Sequence, residues 1–181
     1  MKHFTVGLGI FLALAISRFV PHPPNFTSLL ALSFYVPALL GIRYLPILIF
    51  SFFLTDCIIG FHATTLFTWG SVVIIGLVSK YFISNLYSRI SGALSGAVIF
   101  FLFTNFGVWL LGSYGYSFNG LLASYTLALP FFAYSLISTL FFSVIIETAV
   151  SSQLDSIPKI MGFLFIELIL LIIQSYYKHE V

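Results

Sequence analysis

The chain has 181 residues, of which 60% are hydrophobic and 7% charged, with a mean hydropathy of +1.13. Water-soluble domains carry about 25% charged residues, so this composition excludes a water-facing globule and implies a single integral membrane domain. The net charge of +2 is spread thinly and no Lys/Arg cluster exists, which argues against nucleic acid as a partner.

In lipid, backbone groups must be satisfied within a helix or a closed barrel. The apolar runs here are long and lack two-residue alternation, so they predict an all-α, polytopic helical bundle. The first span is expected over 4–20. It follows Lys2 and contains Ala13-Leu14-Ala15, a pattern shared with cleaved signal peptides. Gly9, Ala13 and Ser17 fall at every fourth position, and such a small-residue face suits close helix contact in lipid, favouring an uncleaved span. Pro21, Pro23 and Pro24 end it. Further spans are expected over 27–41, 45–60, 65–83 and 90–112, the last opening with Gly92-x-x-x-Gly96. The segment 121–150 is too long for one span, and Pro130 divides a short interfacial helix from a sixth span over 130–150. A polar connection then leads to a seventh hydrophobic helix over 160–177, which carries Glu167. The reading is thus six core spans over about 4–150 plus a C-terminal helix.

Orientation follows from basic residues. With the N-terminus in the cytoplasm, Lys2, Arg43, Lys80, Arg89 and Lys159 lie inside, and Arg18 and Lys178 outside. The first, third and fifth turns then share the outer face: 21–26 (PHPPNF), 56–62 (DCIIGFH) and 113–120 (SYGYSFNG). Concentrating polar, aromatic and turn residues there predicts an external binding pocket.

Several residues in those turns are candidates. The proline loop either holds His22 and Asn25 as a rigid lip or merely connects two helices, with Asn25 or Thr27 capping the second. Asp56 sits at the end of an apolar span, where an acid is costly and needs a partner such as Arg18 or His62. Cys57 is the sole cysteine: either a small buried hydrophobe or a soft metal ligand. One Cys and one His cannot complete a zinc site, so a metal held by Cys57 must bring its other ligands with it. Asn105 within a span bonds a neighbouring helix or a ligand, and Trp109 suits an interfacial belt. Glu167 marks either a subunit contact or an ion path. There is no GxSxG, P-loop, HExxH or carboxylate pair, so no enzyme activity is expected, and any ATPase would be a separate subunit.

The segments PHPPNFTSLLAL (21–32), LTDCIIGFH (54–62), FLFTNFGVWL (101–110) and GLLASYTLALPFF (120–132) look like an uncharacterised family of small bacterial membrane proteins. That family resembles the substrate-binding S components of energy-coupling-factor (ECF) vitamin transporters. The resemblance implies a six-helix protein of the bacterial inner membrane that binds a vitamin-like small molecule at the outer face and reorients to release it. It also implies an ECF T component and ATPases as partners, or none if the protein is solitary, with Gly9, Ala13 and Ser17 contacting the T component. One branch, the solitary cobalamin-transporting S components, carries a cobalt-ligating cysteine, a role that Cys57 would fill here with cobalamin or another corrinoid as the transported ligand. His22, Asn25, Asp56, His62, Asn105, Trp109 and Tyr114 would line or support that site. The chain departs from the pattern in having Tyr114-Gly115-Tyr116 where the wider family has a Tyr-Pro turn, and in its seventh hydrophobic segment. The other reading is a small structural or assembly subunit of a larger membrane complex.

Overall fold

A computed structural model describes residues 2–152; the expected seventh segment and Glu167 lie outside them. Seven α-helices run through this region. α1 spans Lys2–Phe19 and stops before the proline loop. α2 spans Leu29–Tyr35 and continues as a π-helix over Val36–Leu40. Pro37 lies in that continuation and has no N–H to give the preceding turn, so the helical register widens there. Gly41, at φ 98°, ends the run, and a 3₁₀ turn over Ile42–Tyr44 leads into α3, Leu45–Ile59. α4, Thr65–Val78, tightens into a 3₁₀ turn over Ser79–Phe82.

α5 spans Leu86–Leu110 and starts four residues before the expected position 90. Asn85 accounts for the difference, since its side-chain oxygen accepts the Ser88 N–H at 2.9 Å and caps the helix. α6, Phe118–Thr126, is capped by Ser117 on the Gly120 N–H at 3.1 Å. α7 spans Leu129–Ser152 with Pro130 in its first turn, where a missing N–H is harmless. The expected division of 121–150 into a short helix and a long one is therefore present.

Four stretches are long and apolar enough to cross a membrane: Ile42–Ile59, Thr65–Phe82, Leu86–Leu110 and Leu129–Ser151. Two further apolar helices, Val6–Phe19 and Leu29–Leu40, are shorter than that; a full span was expected for the first, and a rather short one over 27–41 for the second. Every residue of α2 is buried. A helix enclosed by other helices need not match the bilayer thickness, because its ends meet protein rather than lipid.

α2 is the axis of the bundle. Its Leu29, Leu32 and Val36 join a core with Leu14 of α1, Leu48 and Phe52 of α3 and Val72 of α4. Its Leu30, Phe34 and Tyr35 join a second core with Ala93 and Ala97 of α5 and Phe142 and Ile146 of α7. Outward residues such as Phe50, Leu66, Leu77, Leu102, Ile137 and Val144 are exposed and apolar, as a lipid-facing surface requires.

The small-residue faces are consumed inside this bundle. Gly9 and Ala13 are buried, and the Ser17 hydroxyl lies 2.7 Å from that of Ser28 at the start of α2. Gly9 and Ala13 are thus packed within the chain itself, and Ser17 is partly buried. Gly92 lets α5 approach α2, since a Cβ there would stand 2.5 Å from a Phe34 ring atom. Gly96 lies against Ile75 of α4.

Candidate functional site

The first and third connections, the second half of α5 and the start of α7 meet at one end of the bundle. A cavity of about 490 Å³ opens there. Its wall draws on the proline loop, the ends of α1 and α3, the start of α4, the second half of α5 and the start of α7.

The floor is organised by an ion pair. Asp56 is buried and Arg18 NH2 lies 2.7 Å from its Oδ1. Its Oδ2 accepts the Trp69 Nε1–H at 2.8 Å. Arg18 also donates to the Thr55 hydroxyl and sits over the Phe52 ring, 4.5 Å from its centre. Of the two expected partners of Asp56, Arg18 is the one used. The set ties α1, α3 and α4 together: Oδ2 is hydrogen-bonded to Trp69, and Oδ1 is held by the Arg18 charge without a hydrogen bond. Arg18 lines the cavity and Asp56 does not.

The remaining wall is aromatic with scattered polar groups. Phe52, Phe100, Phe101, Phe131 and Phe132 supply its apolar area. Thr68, Thr104 and Ser135 line it, each with its hydroxyl hydrogen donated to the carbonyl four residues earlier. Their oxygens therefore face a guest as acceptors. Asn105 behaves alike: its amide donates to the Phe101 carbonyl at 2.7 Å, leaving Oδ1 without a partner among the described residues.

Four expected site residues, His22, Asn25, His62 and Asn105, share this one cavity. Asn25 takes the left-handed conformation at φ 62°, and its carbonyl accepts the Ser138 hydroxyl of α7 at 3.2 Å. It does not cap α2; Thr27 is the nearer to doing so, its hydroxyl 3.4 Å from the Leu29 N–H. His22 Nδ1 lies 2.7 Å from the Pro23 carbonyl, which assigns the proton to that nitrogen and leaves Nε2 an acceptor. His62 is held by Thr64, with Nδ1 3.0 Å from its hydroxyl.

Three others are elsewhere. Cys57 is exposed and outside the lining. Trp109 donates to the Ser117 carbonyl at 3.2 Å, bracing the connection to α6. Tyr114 is exposed on that connection. None of the described residues forms a group of three or more His, Cys, Asp or Glu able to hold a metal ion.

A second ion pair lies toward the other end. Arg89, in the first turn of α5, grips Glu147 of α7 with two parallel hydrogen bonds of 2.7 Å each. Glu147 was not singled out from sequence, although an acid in the apolar run 144–150 carried the same signal that marked Asp56. Arg89 was read only as a basic residue of an inner loop.

The family model for DUF6580, a family of unknown function, matches residues 1–159. The chain belongs to the DUF6580 family. No curated protein matches it. No solved structure matches it either. The match to DUF6580 covers both ion pairs and the whole cavity wall.

Proposed function

We propose that this DUF6580 protein binds a compact, vitamin-sized organic molecule in the cavity and serves as the ligand-binding subunit of an uptake system. The cavity carries the reading. Ligand sites of about 300–1,000 Å³ are characteristically apolar and aromatic with a few fixed polar anchors, and this one, at about 490 Å³, joins five phenylalanines to Arg18, Asn105 and a set of threonines. Among the described residues no carboxylate lines it, and Asp56 beneath it is paired with Arg18. It therefore suits a neutral or weakly acidic ring compound better than a cation. The similarity to ECF S components supports the transport role. With no ATPase motif in this sequence, ATP-driven uptake would need partner subunits, and a solitary protein would work without them.

A corrinoid guest rested on cobalt ligation by Cys57, and that residue is exposed and outside the cavity lining. The proposal is accordingly for a guest held by ring stacking and hydrogen bonds. The chain would lie in the bacterial inner membrane with its N-terminus cytoplasmic, so that the cavity faces outward.

Protein in nanodiscs is titrated with water-soluble vitamins and with cobinamide, following the fluorescence of its two tryptophans, Trp69 and Trp109. Saturable quenching by a compact ring compound, lost in Asn105→Leu and Phe132→Ala but kept in Cys57→Ala, is the expected result. Native mass spectrometry of the membrane-extracted protein adds a second reading. No bound small molecule there, and no saturable change with any compound, would sink the proposal.

A further inference from the structure

Charge in the cavity wall is balanced. Among the described residues Arg18 is the only Lys, Arg, Asp or Glu that lines it, and Asp56 lies 2.7 Å from its guanidinium. The floor is thus neutral as a unit. A carboxylate or ammonium brought in from water would lose hydration with no net charge to meet it, which is costly. His22 is half-buried and His62 exposed, so water screens both at the rim.

Hydrogen in the wall is not balanced. A Ser or Thr hydroxyl has one hydrogen. Thr68, Thr104 and Ser135 each use it on the carbonyl four residues back, at 3.2, 2.7 and 3.0 Å. Asn105 uses one amide N–H on the Phe101 carbonyl, which leaves Oδ1 and a second N–H. Four oxygens of the wall therefore await donors, and Thr68, Asn105 and Ser135 are buried, where an unmet acceptor is destabilising. Arg18 is the opposite case, since a guanidinium only donates. Its NH1 serves the Thr55 hydroxyl and the Phe52 carbonyl and its NH2 lies against Asp56, while its Nε–H has no hydrogen-bond partner among the described residues. A guest that matches this wall brings several donors and an acceptor, with no net charge. It is also flat: Phe101 and Phe132, both in the wall, stack with centroids 4.4 Å apart and planes 28° from parallel, and a further ring extends such a pair well.

We propose that the guest is a neutral, flat nitrogen heterocycle of lactam or cyclic-urea type, whose ring N–H groups donate to this set of oxygens and whose carbonyl oxygen accepts from Arg18. The inference rests on the binding role proposed above and names the ligand class of that same cavity. A purely apolar ring would leave the buried oxygens unmet, and a polyol would leave the phenylalanines without a flat partner.

Three probes separate these demands: quinazoline-2,4-dione, its 1,3-dimethyl derivative, which has no N–H, and its 7-carboxylate, which adds a charge. Each is titrated by calorimetry at neutral pH into the full chain in nanodiscs. A site built to bond N–H groups rejects an analogue that lacks them, so the dione should bind at least about tenfold tighter than either derivative. Thr68→Val and Ser135→Ala should each weaken the dione several-fold and leave the dimethyl compound unchanged, a difference that mere damage to the fold would not produce. If one variant does not fold, the other serves. Equal or tighter binding of the dimethyl compound or the carboxylate would overturn the ligand class and leave the binding role standing. So would saturable binding of a vitamin in the fluorescence titration with none of the three probes bound. Nothing bound in either titration would sink both.

Discussion

The two residues that matter most to the cavity floor are opposite charges, Asp56 buried and Arg18 largely so. Removing one member of a buried pair strands the other, at a cost of about 3–5 kcal/mol, whereas replacing both by apolar groups is far milder. Asp56→Asn should therefore lower the unfolding free energy by roughly that amount, with Arg18→Met/Asp56→Leu much closer to the parent. A double-mutant cycle from thermal or denaturant unfolding in detergent measures this. At the lip, Asn25 holds a left-handed conformation that Gly adopts freely and a β-branched residue resists by about 1–2 kcal/mol. Asn25→Gly should keep the fold and the Ser138 contact to the Asn25 carbonyl, and Asn25→Val should lose stability. Asp56 and Asn25 were both legible as special residues, because an acid in an apolar run and an Asn among prolines are conspicuous. That Asn25 was needed for its backbone rather than as a cap was not legible, since φ leaves no mark on a neighbouring residue type.

Among elements, α5 approaches α2 closely at Gly92. A Cβ at Gly92 would stand 2.5 Å from a Phe34 ring atom and 2.6 Å from the Phe82 Cβ, whereas one at Gly96 would meet an Ile75 methyl at 3.0 Å. Overpacking a tight interior costs about 1–3 kcal/mol. Gly92→Ala should fall in that range and Gly96→Ala below it, as paired melting temperatures will show. Helix existence was legible throughout, because apolar runs and prolines mark it strongly. Helix ends were not: α5 begins at Asn85, a single capping side chain inside a polar stretch. The brevity of α2 was legible too, but its burial on all sides was not, because a membrane helix is apolar whether lipid or protein covers it. For the same reason the Gly9/Ala13/Ser17 face could be read as close-approaching without revealing what approaches it.

For the whole molecule, Cys57 reports on orientation. It is the sole cysteine, is exposed and lies at the cavity end. With the N-terminus inside, a membrane-impermeant maleimide should label it from the outer side of intact cells. Lys80→Cys in a Cys57→Ala background should react only after permeabilisation. The reverse pattern would turn the cavity toward the cytoplasm. The convergence of His22, His62 and Asn105 was legible because helix alternation alone brings their segments to one end. The cavity wall's phenylalanines and the Arg89–Glu147 grip were not, since 22 phenylalanines give no hint which few share a surface, and a pair 58 residues apart leaves no spacing to read.

The two ion pairs divide the bundle. Arg18 and Asp56 bind α1 to α3, with Trp69 of α4 alongside; Arg89 and Glu147 bind α5 to α7. Neither pair crosses from one set to the other. The cavity does: Phe52 and Thr68 face Phe100, Asn105 and Phe132 across it. A guest seated there acts as a rivet between two separately braced leaves. Its arrival should slow amide exchange in both leaves at once, even in turns it never touches, and its departure should let them slide along α2.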